Sequence, residues 1–362
     1  MRRSGCGAGS GLWRRSGASR VSGAAVQPLV ALPITPTARW NAQYSNIVES
    51  GGKVTNISDI QSLAAASDTG TGAGPVLMTD ALGRKFLRFE GAAYLTVAAA
   101  FAAASRACTV IMVGRIHKGY AVATERFFAL SSVANANATN GGQILNKLVV
   151  PATGGPYIYC GSIGGYTDAT NGKWTVPGTQ LSVIGSRSAA TAGGGGRVGI
   201  NKNSAAVAQT SISTAVLAGA EIGRNPASPG SSGTWARFDL YDMAVYNTAL
   251  TNAEFDAAMA ALTDGWNIAQ ITNQLVLEGD SITDGITDVT SGHNLAMVAT
   301  EPGSATAMPA GWRVVHMGVS GNQTSDTQTK RDATSTIYNQ LLPGRNVVAY
   351  QIGRNNVGAG AQ

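Results

Sequence analysis

The chain has 362 residues, of which 44% are hydrophobic and 13% charged, and it carries a formal net charge of +6. Residues 1–20 contain five arginines and no acid, so the rest of the chain carries +1, which is +6 less +5. A nearly neutral body without a basic groove excludes nucleic acid as a partner, and the sequence has no run of about 18 apolar residues, which excludes a membrane span.

The N-terminal stretch, residues 1–27, is rich in arginine, glycine and serine. Such a segment cannot bury enough apolar surface to fold alone, so we predict a flexible basic tail. No apolar run follows Leu12-Trp13, and the tail is therefore not expected to be a secretory signal. The three cysteines of the chain are odd in number and have no spacing pattern, so we expect no disulfide framework and no zinc site. We also predict no cofactor.

Between residues 28 and 267, short apolar strands alternate with Gly-rich turns. Residues 108–113 form a continuous apolar run, which is typical of a strand at the centre of a sandwich. Residues 198–200 lead into an Asn-rich turn at 201–204, which indicates a hairpin. Residues 238–246 predict a further long strand. The pattern predicts an all-β sandwich.

One helix is predicted near the end of this region. Thr251 and Glu254 have the spacing of a capping box, and Gly265 is the expected C-cap. The apolar face, at positions i, i+4 and i+7, consists of Phe255, Met259 and Leu262. We expect this helix to pack against the sandwich.

The region resembles the concanavalin A-like and laminin G-like jelly-roll domains. The likeness is carried by residues 87–95, by 205–207 and, most specifically, by 236–254. The resemblance implies a jelly roll that binds carbohydrate or serves as a structural module. Asp239 and Asp242 are of the type that binds calcium, but we favour solvation on a strand surface and predict no metal site.

The pattern changes at about residue 268. Three apolar strands are predicted, at residues 275–277, 313–317 and 346–352, and helical spacing at 325–342 separates the last two. Strands that alternate with crossovers indicate a parallel, helix-covered sheet.

Polar motifs follow each of these three strands. Ser281 lies in a Gly-Asp-Ser motif after the first strand, Gly321 follows the second, and Asn355 lies in a Gly-Arg-Asn motif after the third. Because the carboxyl ends of parallel strands meet at one edge of a sheet, we expect a nucleophile and two hydrogen-bond donors to converge there. That combination suits acyl transfer, with the donors facing an oxyanion.

The order of these motifs resembles the blocks of the SGNH, or GDSL, hydrolases. The resemblance implies that Ser281 is the nucleophile and that Gly321 and Asn355 are the oxyanion donors. Asn356 stands where the family usually has Asp, and no histidine of the sequence has Asp three residues before it, as the family's base does. We therefore predict that residues 268–362 are the N-terminal half of an SGNH hydrolase-like α/β domain.

Without a base, a serine hydroxyl is a poor nucleophile at neutral pH. His316 lies within the second predicted strand, where we favour a buried structural role. His293 lies in the irregular crossover after the first strand, where we favour a solvated loop position.

The sequence thus predicts a multidomain chain, with an all-β jelly-roll sandwich at 28–267 followed by a partial α/β SGNH-type parallel sheet. The predicted function is hydrolysis of carbohydrate O-acyl esters, with the sandwich binding the glycan. The alternative is a catalytically inactive structural or adhesive protein, such as a phage tail or virion surface component, with a homo-oligomer or virion proteins as partners. An extracellular or virion-surface location is favoured.

Overall fold

A computed structural model provides the coordinates of the chain. The predicted tail lies outside the described residues apart from Gln27. The residues that the structure describes are 27–61, 65–68, 74–90, 93–97, 107–116, 125–131, 142–150, 155–159, 174–175, 180–189, 195–208, 219–224, 236–269, 272–279, 309, 311–316 and 344–351.

These residues form twenty strands and one helix. In chain order the elements are β1 (Ala38–Asn41), β2 (Ile47–Ser50), β3 (Lys53–Ser58), β4 (Ala65–Ser67), β5 (Val76–Thr79), β6 (Lys85–Phe89), β7 (Leu95–Val97), β8 (Cys108–Ile116), β9 (Glu125–Ser131), β10 (Gly142–Val150), β11 (Gly155–Tyr159), β12 (Trp174–Thr175), β13 (Ser182–Ser188), β14 (Gly195–Ile200), β15 (Asn203–Ala208), β16 (Gly219–Ile222), β17 (Phe238–Tyr246), α1 (Asn252–Gly265), β18 (Asn273–Gly279), β19 (Trp312–His316) and β20 (Asn346–Gln351).

Two antiparallel sheets enclose the main core. The first has the order β15-β14-β13-β8-β17-β6-β5 with β1 beside β17, and the second has the order β12-β11-β10-β9-β16-β7-β4-β3-β2. Trp40 and Met243 of the first sheet lie in the same buried cluster as Ile57 and Ala220 of the second. The described strands therefore form the all-β sandwich that the sequence predicts.

The central strands β8 and β17 are buried along their whole length. Their outward side chains, such as Ile111 and Tyr241, pack with Phe255 and Met259 of α1 in a second buried cluster. A strand that is covered on both faces needs apolar residues at successive positions. This explains the continuous apolar run at residues 108–113.

The start of α1 confirms the predicted capping box. The Oγ1 of Thr251 accepts a hydrogen bond from the Glu254 N–H at 3.2 Å, and the Glu254 carboxylate accepts one from the Thr251 N–H at 2.7 Å. The bond from the Thr251 backbone lowers the pKa of the Glu254 carboxyl, because it stabilises the charged form. The predicted apolar face is also confirmed, since all three of its residues are buried.

The end of α1 corrects the prediction. Gly265 is the last helical residue, whereas the residue in the left-handed region is Asn267, with φ 50°. The N–H of Ile268 donates to the carbonyl of Thr263 at 2.9 Å, as in a Schellman motif. Gly265 instead permits a close approach, because a Cβ there would lie 2.4 Å from a methyl carbon of Val30.

A glycine in β13 lets the helix approach the sheet. A Cβ on Gly185 would lie 2.6 Å from the sulfur of Met259 and 2.8 Å from the ring of Phe255. The apolar face of α1 therefore packs onto the backbone of the sheet at this point.

Asp239 and Asp242 do not lie on a solvated strand surface, which corrects the interpretation made from the sequence. Both are buried, at 0% and 1% exposure. Asp239 lies directly across from Arg88 on β6 and from Arg115 on β8, and Asp242 accepts hydrogen bonds from the guanidinium of Arg39. The outward side chains of β17 are buried here against other parts of the fold, so these carboxylates are kept from solvent. They form buried ion pairs with arginines instead.

Two buried tyrosines are expected to lower the stability of the fold at alkaline pH. Burial raises the pKa of Tyr246 to about 12, and it also raises the pKa of Tyr241. An unfolded tyrosine ionises near pH 10, so between about pH 10 and 12 the unfolded chain binds fewer protons than the folded one, and stability falls as pH rises.

Raising the pH from 9 to 11 should lower the free energy of unfolding of both proteins. We expect this drop to be about 1 kcal/mol smaller in Tyr246→Phe than in the original protein, because the variant has one fewer phenol to ionise. Urea unfolding at the two pH values measures this difference. An equal loss in both proteins would contradict the assignment.

The third sheet has three strands, and all of them are parallel. β18 lies between β19 and β20, and Leu275 pairs with Val314 on one side and with Val347 on the other. The three predicted strands and their parallel pairing are confirmed. The helix predicted at 325–342 lies outside the described residues, so the α/β layer and the boundary at residue 268 stay predictions.

Candidate functional site

The carboxyl ends of the three parallel strands lie at one edge of the sheet. Leu277 of β18 pairs with His316 at the end of β19, and Gly279 at the end of β18 pairs with Gln351 at the end of β20. The chain segments that leave these strands therefore start beside each other. The strand ends themselves are about 4.8 Å apart from strand to strand.

The strand order makes this edge a candidate binding site. In chain order, β19 lies on one side of β18 and the next strand, β20, lies on the other side. In open parallel sheets, ligands bind in the crevice outside the carboxyl ends of the strands, where the strand order reverses. Here that position lies beside β18, between the ends of β18 and β20.

Amide side chains fix the register at the opposite, amino edge. The Oδ1 of Asn273 accepts a hydrogen bond from the Arg345 N–H at 2.7 Å, and the Nε2 of Gln274 donates to the Oδ1 of Asn346 at 2.8 Å. Gly344 fits closely here, because a Cβ would lie 2.4 Å from the Asn273 Oδ1. These contacts hold β18 and β20 in register, and the register determines which residues meet at the carboxyl edge.

The predicted site residues Ser281, Gly321 and Asn355 lie outside the described residues. The described strands end shortly before each of them. β18 ends at Gly279, two residues before Ser281, β19 ends five residues before Gly321, and β20 ends at Gln351, four residues before Asn355. Their convergence and their roles stay predictions.

Sequence reasoning missed the amide contacts at the amino edge. Asn273 and Gln274 precede an apolar strand, and nothing in that local pattern pairs them with residues 72 positions away. Pro343-Gly344 does indicate a turn in the sequence, and Gly344 takes part in the contact. Its partner becomes evident only once the strands are paired.

The described part of the chain holds neither a metal-binding cluster nor a helix that could span a membrane. Within it, no group of three or more His, Cys, Asp or Glu side chains is placed to hold a metal ion. The helix described there, α1, is not long and apolar enough to cross a membrane.

No family model matches the chain, and no curated protein matches it. A sialidase from Trypanosoma rangeli, solved with sialic acid, is 12% identical with a TM-score of 0.43, and the match covers 67% of this chain and 36% of the sialidase. The chain thus spans about a third of the length of that sialidase.

Two smaller solved domains are also similar. The CBM40 domain of the Ruminococcus gnavus IT-sialidase, bound to α2,3-sialyllactose, is 14% identical with a TM-score of 0.30, covering 43% of this chain and 83% of that one. Domain 4 of AbnA, a GH43 extracellular arabinanase from Geobacillus stearothermophilus solved with arabinotriose, is 14% identical with a TM-score of 0.37, covering 62% of this chain and 98% of that one. Likenesses of this size establish neither a family nor a function.

Proposed function

We propose that the carboxyl edge of the parallel sheet hydrolyses acyl esters, and that its substrate is an O-acylated glycan. The observation that carries the proposal is the strand order β19-β18-β20, with all three strands parallel and each followed within five residues by one of the predicted site residues. A nucleophile after the central strand and a donor after each neighbour suit acyl transfer.

In this proposal the Oγ of Ser281 attacks the ester carbonyl, and its proton passes to a general base. The backbone N–H of Gly321 and the amide of Asn355 donate hydrogen bonds to the oxyanion that forms on the carbonyl oxygen. The alcohol leaves with a proton, and water then attacks the acyl-serine and releases the carboxylic acid. A Ser hydroxyl at this position needs such a base, since its own acidity is too weak at neutral pH.

His316 is the first histidine to test as this base. It is the last residue of β19 and pairs with Leu277, so its backbone lies at the carboxyl edge. His117 and His293 lie outside the described residues. A loss of activity in His316→Asn, with the fold retained, would give this histidine a role that the sequence did not favour.

The test is ester hydrolysis by the full chain, with p-nitrophenyl acetate and with acetate release from an O-acetylated polysaccharide. We expect Ser281→Ala to abolish turnover, because no other group replaces the nucleophile. Ser291→Ala removes a hydroxyl ten residues further along and serves as the matched control. Equal rates for the original protein and Ser281→Ala would refute the esterase and favour an inactive adhesive or virion component.

A further inference from the structure

Residues 27–36 run as an extended segment along the outside of the first sheet, beside α1. Val30, Leu32 and Ile34 are partly buried and pack against the second buried cluster, which joins α1 to the outward side chains of β8 and β17. The residues between them are exposed. This alternation is typical of extended backbone, in which successive side chains point to opposite sides. We call residues 27–36 the strap.

The strap is held by side chains rather than by a backbone ladder. In the described part of the chain, no backbone group of the strap is bonded to another backbone group. Three of its carbonyls accept hydrogen bonds from side chains instead: those of Gln27, Val30 and Ile34, from Tyr44, Arg39 and Tyr246 respectively. A segment with half-buried side chains and no backbone ladder opens more easily than the core of a fold.

The strap contacts the last residue of α1 in two ways. A Cβ on Gly265 would lie 2.4 Å and 2.7 Å from the two methyl carbons of Val30. The Nε2 of Gln27 donates to the Gly265 carbonyl at 2.8 Å. Carbonyls in the last turn of a helix lack partners within the helix, so the strap supplies a partner that α1 cannot. It therefore supports the point at which α1 ends.

The chain leaves the sandwich for the parallel sheet at this same point. Trp266 is 5% exposed, and Ile268 packs against the second buried cluster. The N–H of Thr272 donates to the carbonyl of Gly311, at the start of the parallel sheet, at 2.9 Å. Three residues separate Ile268 from Thr272, so these two are at most about 14 Å apart. The residues beside the strap thus lead directly into the parallel sheet.

We propose that the strap is a conformational latch. It opens as a unit while the two sheets of the sandwich stay folded, and when closed it fixes residues 266–268, through which α1 joins the parallel sheet. Opening removes Val30 from Gly265 and Gln27 from the Gly265 carbonyl, so the last turn of α1 loses both supports and the connection loosens. The inference concerns this connection alone and makes no use of Ser281.

The experiment measures chymotrypsin cleavage after Trp266 in the full chain, by mass spectrometry of the fragment that begins at Asn267. A buried tryptophan is cut only when the last turn of α1 comes away from the sandwich. We expect Val30→Asp to speed this cleavage about tenfold, because the charge is disfavoured in the closed strap and solvated in the open one. The matched control is Leu29→Asp, which places the same charge on the adjacent, 38% exposed residue and should leave the rate unchanged.

A milder variant and a second measurement decide the result if Val30→Asp does not fold. Gln27→Ala removes only the bond to the Gly265 carbonyl and should speed cleavage about two- to fivefold. In the original protein, the amide of Ile268, which donates to the Thr263 carbonyl, should exchange its hydrogen with a weaker urea dependence than the amide of Met112 in the buried strand β8.

Two outcomes would overturn the inference. Cleavage after Trp266 at equal rates in Val30→Asp and Leu29→Asp would show that the strap does not protect the end of α1. Exchange at Ile268 that depends on urea as steeply as exchange at Met112 would show that this end opens only when the whole sandwich unfolds. Neither outcome bears on the proposed esterase.

Discussion

Replacing Asp239 with asparagine is expected to lower the free energy of unfolding by about 3 to 5 kcal/mol, because it removes the charge that compensates two buried guanidinium groups. The Asp239 carboxylate lies 2.8 Å from the Nε of Arg88 and 3.5 Å from the Nη1 of Arg115. The three side chains are at most 7% exposed. Asparagine keeps the size of the side chain, so the effect reports charge rather than packing.

The direction of the pKa shift of Arg88 agrees with a stabilising role for the Asp239 carboxylate. Burial alone would lower it, but the hydrogen bond and the charge of Asp239 raise it above its ordinary value. The carboxylate therefore stabilises the charged form of Arg88 against the cost of burial. Without that charge, the two guanidinium groups lose the fully buried carboxylate that both of them face, while Glu90 still lies 3.9 Å from the Nε of Arg88.

Chemical denaturation of the two proteins measures the change. The matched control is Asp264→Asn, which breaks the exposed pair with Lys202 and should change the free energy of unfolding by no more than about 1 kcal/mol. If Asp239→Asn lowers the free energy of unfolding by no more than this control does, the buried ion pairs do not stabilise the fold as described.

The second large effect is expected in catalysis. Asn355→Ala should lower kcat for ester hydrolysis by about 10²- to 10³-fold, because a lost oxyanion donor raises the barrier by about 2.7 to 4 kcal/mol. KM should change little, since the hydrogen bond strengthens only as charge develops on the carbonyl oxygen. Steady-state kinetics on p-nitrophenyl acetate separate the two constants.

The neighbouring residue provides the control. Asn356→Ala removes an identical amide one position further along, at the place where the resembling family usually has Asp. We expect the larger fall in kcat for Asn355→Ala. Equal falls in the two variants, or a rise in KM with kcat unchanged, would contradict the oxyanion role of Asn355.

The sequence alone determined the features that depend on near neighbours. The capping box of α1 joins residues three apart, and its apolar face repeats within one or two turns. The strands around residues 108–113 and 238–246 are local apolar runs, and the three strands of the parallel sheet were found from the same signal. Such patterns lie within a few residues of each other, so no knowledge of the rest of the fold is needed.

The tertiary structure decided the features that join distant residues. Asp239 and Arg88 are 151 positions apart, so the burial of Asp239 and its ion pair follow only from the placement of β6 beside β17. The need for glycine at position 265 likewise comes from Val30, which packs against it from far along the chain. Neither contact has a local signal.

The candidate active site likewise combines local sequence signals with contacts between distant residues. The motifs around Ser281, Gly321 and Asn355 are local and were found in the sequence, but the order β19-β18-β20 that gives their strands a common edge comes from the sheet. The register of distant strands also decides which polar residues meet on the second sheet, where Asn56, Ser67, Thr96 and Glu221 lie opposite one another in successive strand pairs. Backbone hydrogen bonds between distant segments of the chain determine that register.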